Sequence, residues 1–190
     1  MPDGSFDIPV QQGGAPALPE RISLRLPKLP HPLITRTLNI EEAQNKGDYS
    51  YVHRTQGVDF SVSKKHMRLG LAILDRLFKA LAAQEFEVVI DSPQYGRTGT
   101  FARKGRDHCA IRLDEIHEKV PHEPTATEKL DQARYGTTPT KTDSVPTGNF
   151  TLSPGGKVDL RSEEAFTASL NKSIASIAEQ VEQARKSREE

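Results

Sequence analysis

The stretch SKKHMRLGLAILDRLFKALA, residues 63–82, decides how this chain folds. Its apolar residues recur at steps of three and four positions, which is the spacing of one helix face: Met67, Leu71, Leu74, Phe78 and Leu81. Burying such a stripe contributes on the order of 10 to 20 kcal/mol before conformational entropy is subtracted. The stretch therefore predicts the central helix of the core, with Ser63 as its N-cap.

The start of this helix carries an unusual charge. Lys64, Lys65 and Arg68 lie in its first turns, where the positive end of the helix dipole disfavours each cation by roughly 0.3 to 1 kcal/mol. An anion would relieve that cost, and Ser63 with the free amides of the first turn could hold a phosphate or a carboxylate. The four residues predict an anion or nucleic-acid site, and the alternative is a basic turn balanced by Asp or Glu from elsewhere in the fold.

The composition limits the class of protein. A chain of 190 residues with 35% apolar residues and no tryptophan builds one aliphatic core of modest size. Lys plus Arg and Asp plus Glu number 26 each, so the net charge is zero and a general coat for nucleic acid is excluded. Nucleic-acid binding would have to come from local basic patches.

Compartment and membrane association follow from two further observations. The single Cys109 excludes an internal disulfide framework and fits a reducing compartment. No apolar run approaches the ~20 residues that span a membrane, and the N-terminus lacks the basic and apolar regions of a signal peptide. The sequence predicts a cytoplasmic protein with no membrane partner.

The chain divides into three parts by composition. Residues 1–20, rich in Gly, Pro and Gln, predict a flexible leader. Residues 21–160 predict a single α+β domain, and residues 161–190 a C-terminal amphipathic helix. Within the domain, alternation with period two predicts strands at Ile22–Leu26, Val58–Val62, Glu85–Asp91, Thr98–Arg103, His108–Leu113, Asn149–Leu152 and Val158–Leu160.

Helices and turns complete the predicted architecture. Pro32 opens a short helix, and Thr125 with Glu128 forms a capping-box pattern for a second one that ends at Gly136. Residues 137–147 are polar and predict turns. The expected fold class is α+β, in which an antiparallel sheet is packed by the central amphipathic helix and by a long C-terminal helix.

The C-terminal helix carries a narrow apolar stripe: Phe166, Leu170, Ile174, Ile177 and Val181. Its length falls short of the three or four heptads that define a coiled coil. Two interpretations stay open, namely packing on its own domain and docking on a partner or a second copy. The five residues are the predicted partner-binding site.

The hairpin is the second basic feature, with cations on or beside its turns: Arg97, Arg103, Lys104 and Arg106. A winged helix presents such a hairpin to the phosphate backbone of DNA. Asp107 cancels part of this charge. The sequence predicts nucleic-acid contact here, and a solvated turn is the alternative.

Two sets of residues that suggest catalysis or metal binding have simpler explanations. His108 and Cys109 are adjacent, so they point to opposite faces of a strand and suit neither a metal site nor a nucleophile with its base. We expect Cys109 to be a core residue and His122 to hydrogen-bond locally beside the capped helix. Asp75 is expected to pair with Lys79, one helical turn away.

Several short stretches resemble a set of uncharacterised bacterial proteins. They are Val62-Ser63 followed by Arg68, Ile73-Leu74-Asp75-x-Leu77-x-Lys79-Ala80-Leu81, Val120-Pro121-His122-Glu123-Pro124-Thr125 and Pro146-Thr147-Gly148. The resemblance covers roughly residues 31–180. Its members often carry a helix-turn-helix-like segment before a proline-rich connector, and this chain has only the connector. The resemblance implies a DNA-associated setting and no catalytic residues.

Together these features predict a non-enzymatic accessory or interaction module. It would contact nucleic acid or a nucleoprotein partner through the basic helix start and the hairpin. The first alternative is a protein–protein assembly module, with another protein or as a homodimer, acting through the C-terminal helix. A small hydrolase or metal enzyme is a distant alternative. No cofactor, metal site or catalytic residue is predicted.

Overall fold

A computed structural model describes residues 21–44, 49–50, 56–91, 98–138 and 141–189 of the chain. The predicted leader, residues 1–20, and the predicted site residue Arg97 lie outside these ranges. The helices are α1 (Pro32–Gln44), α2 (Met67–Ala82), α3 (Ala126–Tyr135) and α4 (Glu163–Glu189). The strands are β1 (Tyr49–Ser50), β2 (Phe60–Ser63), β3 (Glu87–Asp91), β4 (Gly99–Lys104), β5 (Asp107–Pro121), β6 (Thr142–Ser153) and β7 (Gly156–Val158).

The strands form one sheet in which the 15-residue strand β5 pairs with β2, β4 and β6. The sheet order is β1-β2-β5-β4-β3, and β6 pairs with β5 and with β7. Strand β2 runs parallel to β5, with Phe60 opposite Leu113, and the other pairings of the described strands are antiparallel. The predicted α+β class, with helices packed on a mainly antiparallel sheet, is confirmed.

Helix α2 lies at the centre of the core because its apolar stripe meets the sheet closely. Leu71, Leu77 and Phe78 are completely buried. Gly70 faces Val62 and Leu113, and a Cβ atom at this position would lie 3.2 Å from a methyl group of each. Glycine therefore allows the helix to approach the sheet at this point.

Helix α4 belongs to the same core and does not form a separate unit. Phe166 and Ile177 are 1% and 0% exposed, and they join one hydrophobic cluster with the residues of α2 and the sheet. Ser162 caps the helix, because its Oγ accepts a hydrogen bond from the amide of Ala165 at 3.1 Å. The predicted helix is confirmed, and its packing on its own domain is the interpretation that the structure bears out.

Local signals predicted helix α3 and the β4–β5 hairpin correctly, whereas the strand predicted at Val158–Leu160 is β7 with shifted bounds, Gly156–Val158. Thr125 and Glu128 form both hydrogen bonds of a capping box at the start of α3, and Gly136 ends that helix with a φ of 67°. The β4–β5 hairpin turns through Gly105 and Arg106, where Gly105 has a φ of 65°. Strand β6 pairs with β7 through Phe150 and Val158.

The strand predicted at Ile22–Leu26 is absent from the assigned strands of the described chain. Ile22 donates a single backbone hydrogen bond to the carbonyl of Leu160 at 2.9 Å, and Ile22, Leu24 and Leu26 are half-buried. The alternating apolar residues therefore mark a segment that packs on the core. Pro27 follows and lacks the amide that would extend the pairing.

The turns predicted for residues 137–147 are wrong over Thr142–Thr147, which belong to β6. The cause is non-local, because β5 continues to Pro121 and offers its edge to these polar residues. Pro146 is tolerated because it lies opposite His117, where the register shifts, and has no strand on its other side in the described part of the sheet.

Candidate functional site

The basic turn is built differently from the prediction. Ser63 ends β2, and Lys64–His66 form one turn of 3-10 helix before α2 begins at Met67. The Ser63 side chain makes no capping hydrogen bond, and its Oγ lies 3.2 Å from Nδ1 of His66. The prediction that Ser63 caps the central helix is therefore wrong, because Ser63 is the last residue of β2 and a 3-10 turn of three residues separates it from α2.

Glu115 is the anion that lies at this turn. Its side chain is 0% exposed, and Oε2 accepts the backbone amide of Ser63 at 2.7 Å. Oε1 lies 2.5 Å from Nδ1 of His66 and accepts the amide of Gly148 at 2.8 Å. Burial raises the pKa of this carboxyl, but the hydrogen bonds from Ser63, Gly148 and His66 outweigh burial and hold the pKa below its ordinary value. Glu115 is therefore an ionised carboxylate that binds the amide of Ser63 and the ring of His66, while the carboxylate that pairs with a cation of the predicted basic site is Glu42, 3.0 Å from Arg68.

A bulge in β6 completes the surroundings of Glu115. Ile116 pairs with Asn149 and His117 with Pro146, so Thr147 and Gly148 are extra residues of β6. Gly148 has a φ of 69°, and a Cβ atom there would lie 3.1 Å from Nη1 of Arg21 and 3.2 Å from Nε2 of His66. Only glycine suits this position.

Ser63, His66 and Glu115 are residue types of a hydrolytic triad, but their geometry does not suit one. A triad needs the serine on one ring nitrogen of the histidine and the carboxylate on the other. Here Ser63 Oγ and Glu115 Oε1 both face Nδ1 of His66. The cluster ties together the end of β2, strand β5 and the bulge of β6, and its role is structural.

The predicted basic residues fall into two groups that lie apart. The 3-10 turn contacts Glu115, and the hairpin turn adjoins Asp107, eight residues earlier on β5. At about 3.3 Å per residue the two positions are about 26 Å apart. The two groups therefore do not form one continuous basic patch.

Several of these cations are paired with carboxylates. Arg68 lies 3.0 Å from Glu42. Arg103 contacts Glu87 at 2.7 Å, and Lys104 lies 3.5 Å from Glu85. The exposed side chains of this set are Lys64, Lys65, Arg68, Lys104 and Arg106. The pairing reduces the positive potential that a phosphate backbone would meet.

The predicted partner-binding stripe of α4 is inside the fold. Its five residues are between 0% and 7% exposed: Phe166, Leu170, Ile174, Ile177 and Val181. They pack in the chain's own core, as members of the same hydrophobic cluster as α2 and the sheet. The proposed docking surface on α4 therefore has to be corrected, because these residues are not at the surface.

Cys109 is a core residue, as predicted. The residue is 3% exposed, and Sγ lies 3.1 Å from Oε1 of Gln180 on α4. Burial raises the pKa of the thiol to about 11, so the thiolate is scarce at neutral pH. Asp75 is also as expected, because Oδ2 lies 2.8 Å from Nζ of Lys79, while Oδ1 accepts the amide of His31 at 2.6 Å.

A two-stranded arm was not predicted from the sequence. We define it as residues 116–121 of β5, residues 142–146 of β6 and helix α3. Beyond Asp114, β5 has only β6 beside it in the described sheet. No residue of the two strand segments is buried, and α3 has no buried residue. The arm therefore extends from the body of the domain, and its residues are exposed or half-buried.

His122 fastens helix α3 to the strands of the arm. Nδ1 lies 2.8 Å from Oδ1 of Asp143 on β6, and Nε2 lies 3.0 Å from Oε2 of Glu128 on α3. Both ring nitrogens can donate only in the protonated imidazole. The hydrogen bonds to Asp143 and Glu128 raise the pKa of His122 above its ordinary value. This confirms that His122 hydrogen-bonds locally beside the capped helix.

The first prediction concerns this contact and pH. Because the pKa of His122 is raised in the folded protein, its stabilising contribution is present at low pH and is lost as pH rises through that pKa. We expect backbone amides of α3 to exchange faster, relative to those of α2, at alkaline pH. In His122→Gln, which lacks the titrating imidazole, the amides of α3 should exchange at this faster relative rate at every pH. Amide hydrogen exchange followed by NMR measures both.

His108→Gln is the matched control, since His108 is an exposed histidine on β5, the strand that ends just before His122. It should leave the exchange of α3 unchanged. Equal exchange of α3 in the wild type and His122→Gln below the pKa of His122 would contradict the role of the histidine.

Comparison with protein-family models, with curated proteins and with solved structures found no match to this chain. The resemblance to bacterial proteins with a helix-turn-helix-like segment therefore stays a prediction. None of the helices in the described ranges is long and apolar enough to cross a membrane. Among the same residues, no group of three or more His, Cys, Asp or Glu side chains is arranged to hold a metal ion.

Proposed function

We propose that this chain is a non-enzymatic interaction module that associates with a second copy of itself through the arm. The observation that carries the proposal is the distribution of exposed apolar side chains. The described chain exposes five large ones, of which Leu29 lies elsewhere and four belong to the arm: Ile116, Leu130, Tyr135 and Val145. A concentration of exposed apolar side chains in one part of a fold is typical of protein–protein interaction sites.

The charge of the arm favours a copy of the same surface as its partner. Its residues include four carboxylates and three Lys or Arg side chains: Glu118, Glu128, Asp131, Asp143, Lys119, Lys129 and Arg134. A nearly balanced surface attracts phosphate weakly. Two such surfaces can meet without net repulsion, and paired identical surfaces are the commonest interface of soluble oligomers.

Helix α3 is presented in a preformed state. A helix of 10 residues is marginal in isolation, and this one buries no side chain in its own domain. The capping box, the left-handed Gly136 and the contact with His122 hold it instead. Because its order is established before binding, association costs less conformational entropy.

The second prediction tests self-association. We expect the wild type to form dimers over protein concentrations from about 1 to 200 µM, and Leu130→Glu with Tyr135→Glu to weaken dimerisation by about tenfold or more. The reason is that the new glutamates would place negative charges in an interface that is apolar in the wild type. Leu130 and Tyr135 are 56% and 73% exposed, so the fold should be retained. Sedimentation equilibrium measures the masses.

Leu29→Glu is the matched control, because Leu29 is 84% exposed and lies outside the arm. It should dimerise as the wild type does. A wild type that stays monomeric over the whole range would overturn the proposal, and so would equal weakening by the control variant.

Contact with nucleic acid through the basic turn and the hairpin is the second candidate function. It is favoured by the exposure of Lys64, Lys65 and Arg106. Fluorescence anisotropy of labelled DNA and RNA at about 50 and 200 mM salt tests it. Binding that falls steeply with salt, and that is lost in Lys64→Ala with Lys65→Ala and Arg68→Ala, would support this function. No binding at the lower salt would exclude it.

A further inference from the structure

A cleft of about 780 Å³ lies between strand β7 and the first turns of α4. Its walls carry the cations Arg21, Lys157, Arg161 and Lys172 and one carboxylate, Asp159. These side chains sum to a charge of three positive units in a chain whose net charge is zero. The cleft is therefore a local concentration of positive charge.

Two of the arginines are held in place by the fold. Arg161 forms an ion pair with Asp159, with Nη2 lying 2.5 Å from Oδ2. Hydrogen bonds from Arg161 lower the pKa of Asp159 to about 2, so this carboxylate is ionised. Arg21 donates to the carbonyl of Gly148 at 3.0 Å and to Oδ1 of Asn149 at 3.1 Å. The guanidinium of Arg21 thus has a defined direction at one end of the cleft.

The lysines lie on the two sides of the cleft. Lys157 belongs to β7 and Lys172 to α4. Gly156 has no side chain, and the nearest atom to a Cβ there would be Nζ of Lys172, at 4.0 Å. Glycine leaves the space in front of this ammonium open. Two lysines on facing elements can contact one anionic group from both sides.

The remaining lining residues indicate how a ligand would be recognised. They are small or polar, as with Ser169, or aliphatic, as with Val158 and Leu160, and none of those lining the cleft is aromatic. Stacking of a nucleobase has no platform there. The volume is within the range of about 300 to 1,000 Å³ that small-molecule sites occupy. Recognition would rest on charge.

We propose that this cleft is a binding site for a small organic phosphate with at least two negative charges. Phosphate oxygens are acceptors for arginine and lysine donors, and one phosphoryl group can be shared between the two lysines. Arg21 lines the same cleft and belongs to neither β7 nor α4, so it can supply a contact for a second anionic group. The site is independent of self-association through the arm.

Calorimetric titration with inorganic pyrophosphate, using inorganic phosphate and citrate as comparison ligands, tests the proposal. We expect saturable binding of one pyrophosphate per chain, weaker binding of phosphate, and weakening with added salt. Lys157→Gln with Lys172→Gln should reduce the affinity by about tenfold or more. Citrate tests whether the cleft prefers phosphate or carboxylate groups. If citrate bound as tightly as pyrophosphate, the ligand class would be a polycarboxylate and the proposal would be overturned.

Lys28→Gln with Lys186→Gln is the matched control, since it removes the same charge from exposed positions outside both the cleft and the arm. It should bind pyrophosphate as the wild type does. No saturable binding to the wild type would overturn the proposal, as would an equal loss in the control. Circular dichroism of both double variants verifies that each is folded.

Discussion

Replacing Glu115 by alanine is expected to lower the free energy of unfolding by about 3 to 5 kcal/mol. The carboxylate accepts the amides of Ser63 and Gly148, and both amides would lose their partner inside the protein. Each buried donor left without an acceptor costs about 1 to 3 kcal/mol. His66 would lose its charged partner as well. One substitution therefore loosens the end of β2, the 3-10 turn and the bulge of β6.

Urea unfolding followed by circular dichroism measures this loss. Glu118→Ala is the matched control, because Glu118 lies three residues further along β5 and is exposed. It should change the free energy of unfolding by no more than about 0.5 kcal/mol. A loss below about 1 kcal/mol for Glu115→Ala would show that the buried carboxylate does not hold the junction together.

The same carboxylate gives the stability a dependence on pH. Because the pKa of Glu115 is lowered in the folded protein, its contribution is present above the pKa of an unfolded glutamate. It is lost as pH falls through the folded pKa. Glu115→Gln cannot ionise, so the difference in stability between the wild type and this variant should shrink in acid. A difference that is constant with pH would mean that the ionised form is not the stabilising one.

The sequence predicted those elements that depend on neighbours in the chain. The stripe of α2 repeats within 16 residues, and the capping box of α3 joins Thr125 to Glu128 over three. The hairpin turn at Gly105 likewise depends on adjacent residues. Such patterns are complete in a short window, so they can be recognised without the fold.

The junction at Glu115 depends on residues far apart in the chain. Its partner Ser63 is 52 positions away and its partner Gly148 is 33 positions away. One local signal existed, because Ile111 and Leu113 are buried core residues and Glu115 occupies the next position on the same face of β5. A carboxylate at an apolar position of a strand indicates a buried polar contact, although it does not identify the partners.

The pairing of the candidate cations also depends on residues that are distant in the sequence. Lys64, Arg68 and Arg103 were selected because their positions along the chain are basic. The carboxylates Glu42 and Glu87, which pair with two of them, come from α1 and β3. The arm was missed for a similar reason, since the polar residues 142–146 become a strand only because β5 extends beside them. Pairing across the fold decides both the charge of a surface and the extent of a strand.

Replacing Phe166 by alanine is expected to lower the free energy of unfolding by about 3 to 5 kcal/mol. Phe166 is 1% exposed in the first turns of α4 and belongs to the cluster formed with α2 and the sheet. Removing the ring forfeits its transfer from water and leaves a cavity that close-packed neighbours fill only in part. If the stripe of α4 instead served as a docking surface, the same substitution would weaken association and leave the stability of the monomer unchanged.

The two outcomes are separated by measuring urea unfolding and sedimentation on the same variant. Thr167→Ala is the matched control, because Thr167 is the next residue on α4 and is exposed. It should stay within about 0.5 kcal/mol of the wild type. A large loss of stability in Phe166→Ala, measured at a concentration where the wild type is monomeric, identifies the stripe as part of the chain's own core. If Phe166→Ala kept its stability and associated more weakly, α4 would be the interface, and the assignment of self-association to the arm would be contradicted.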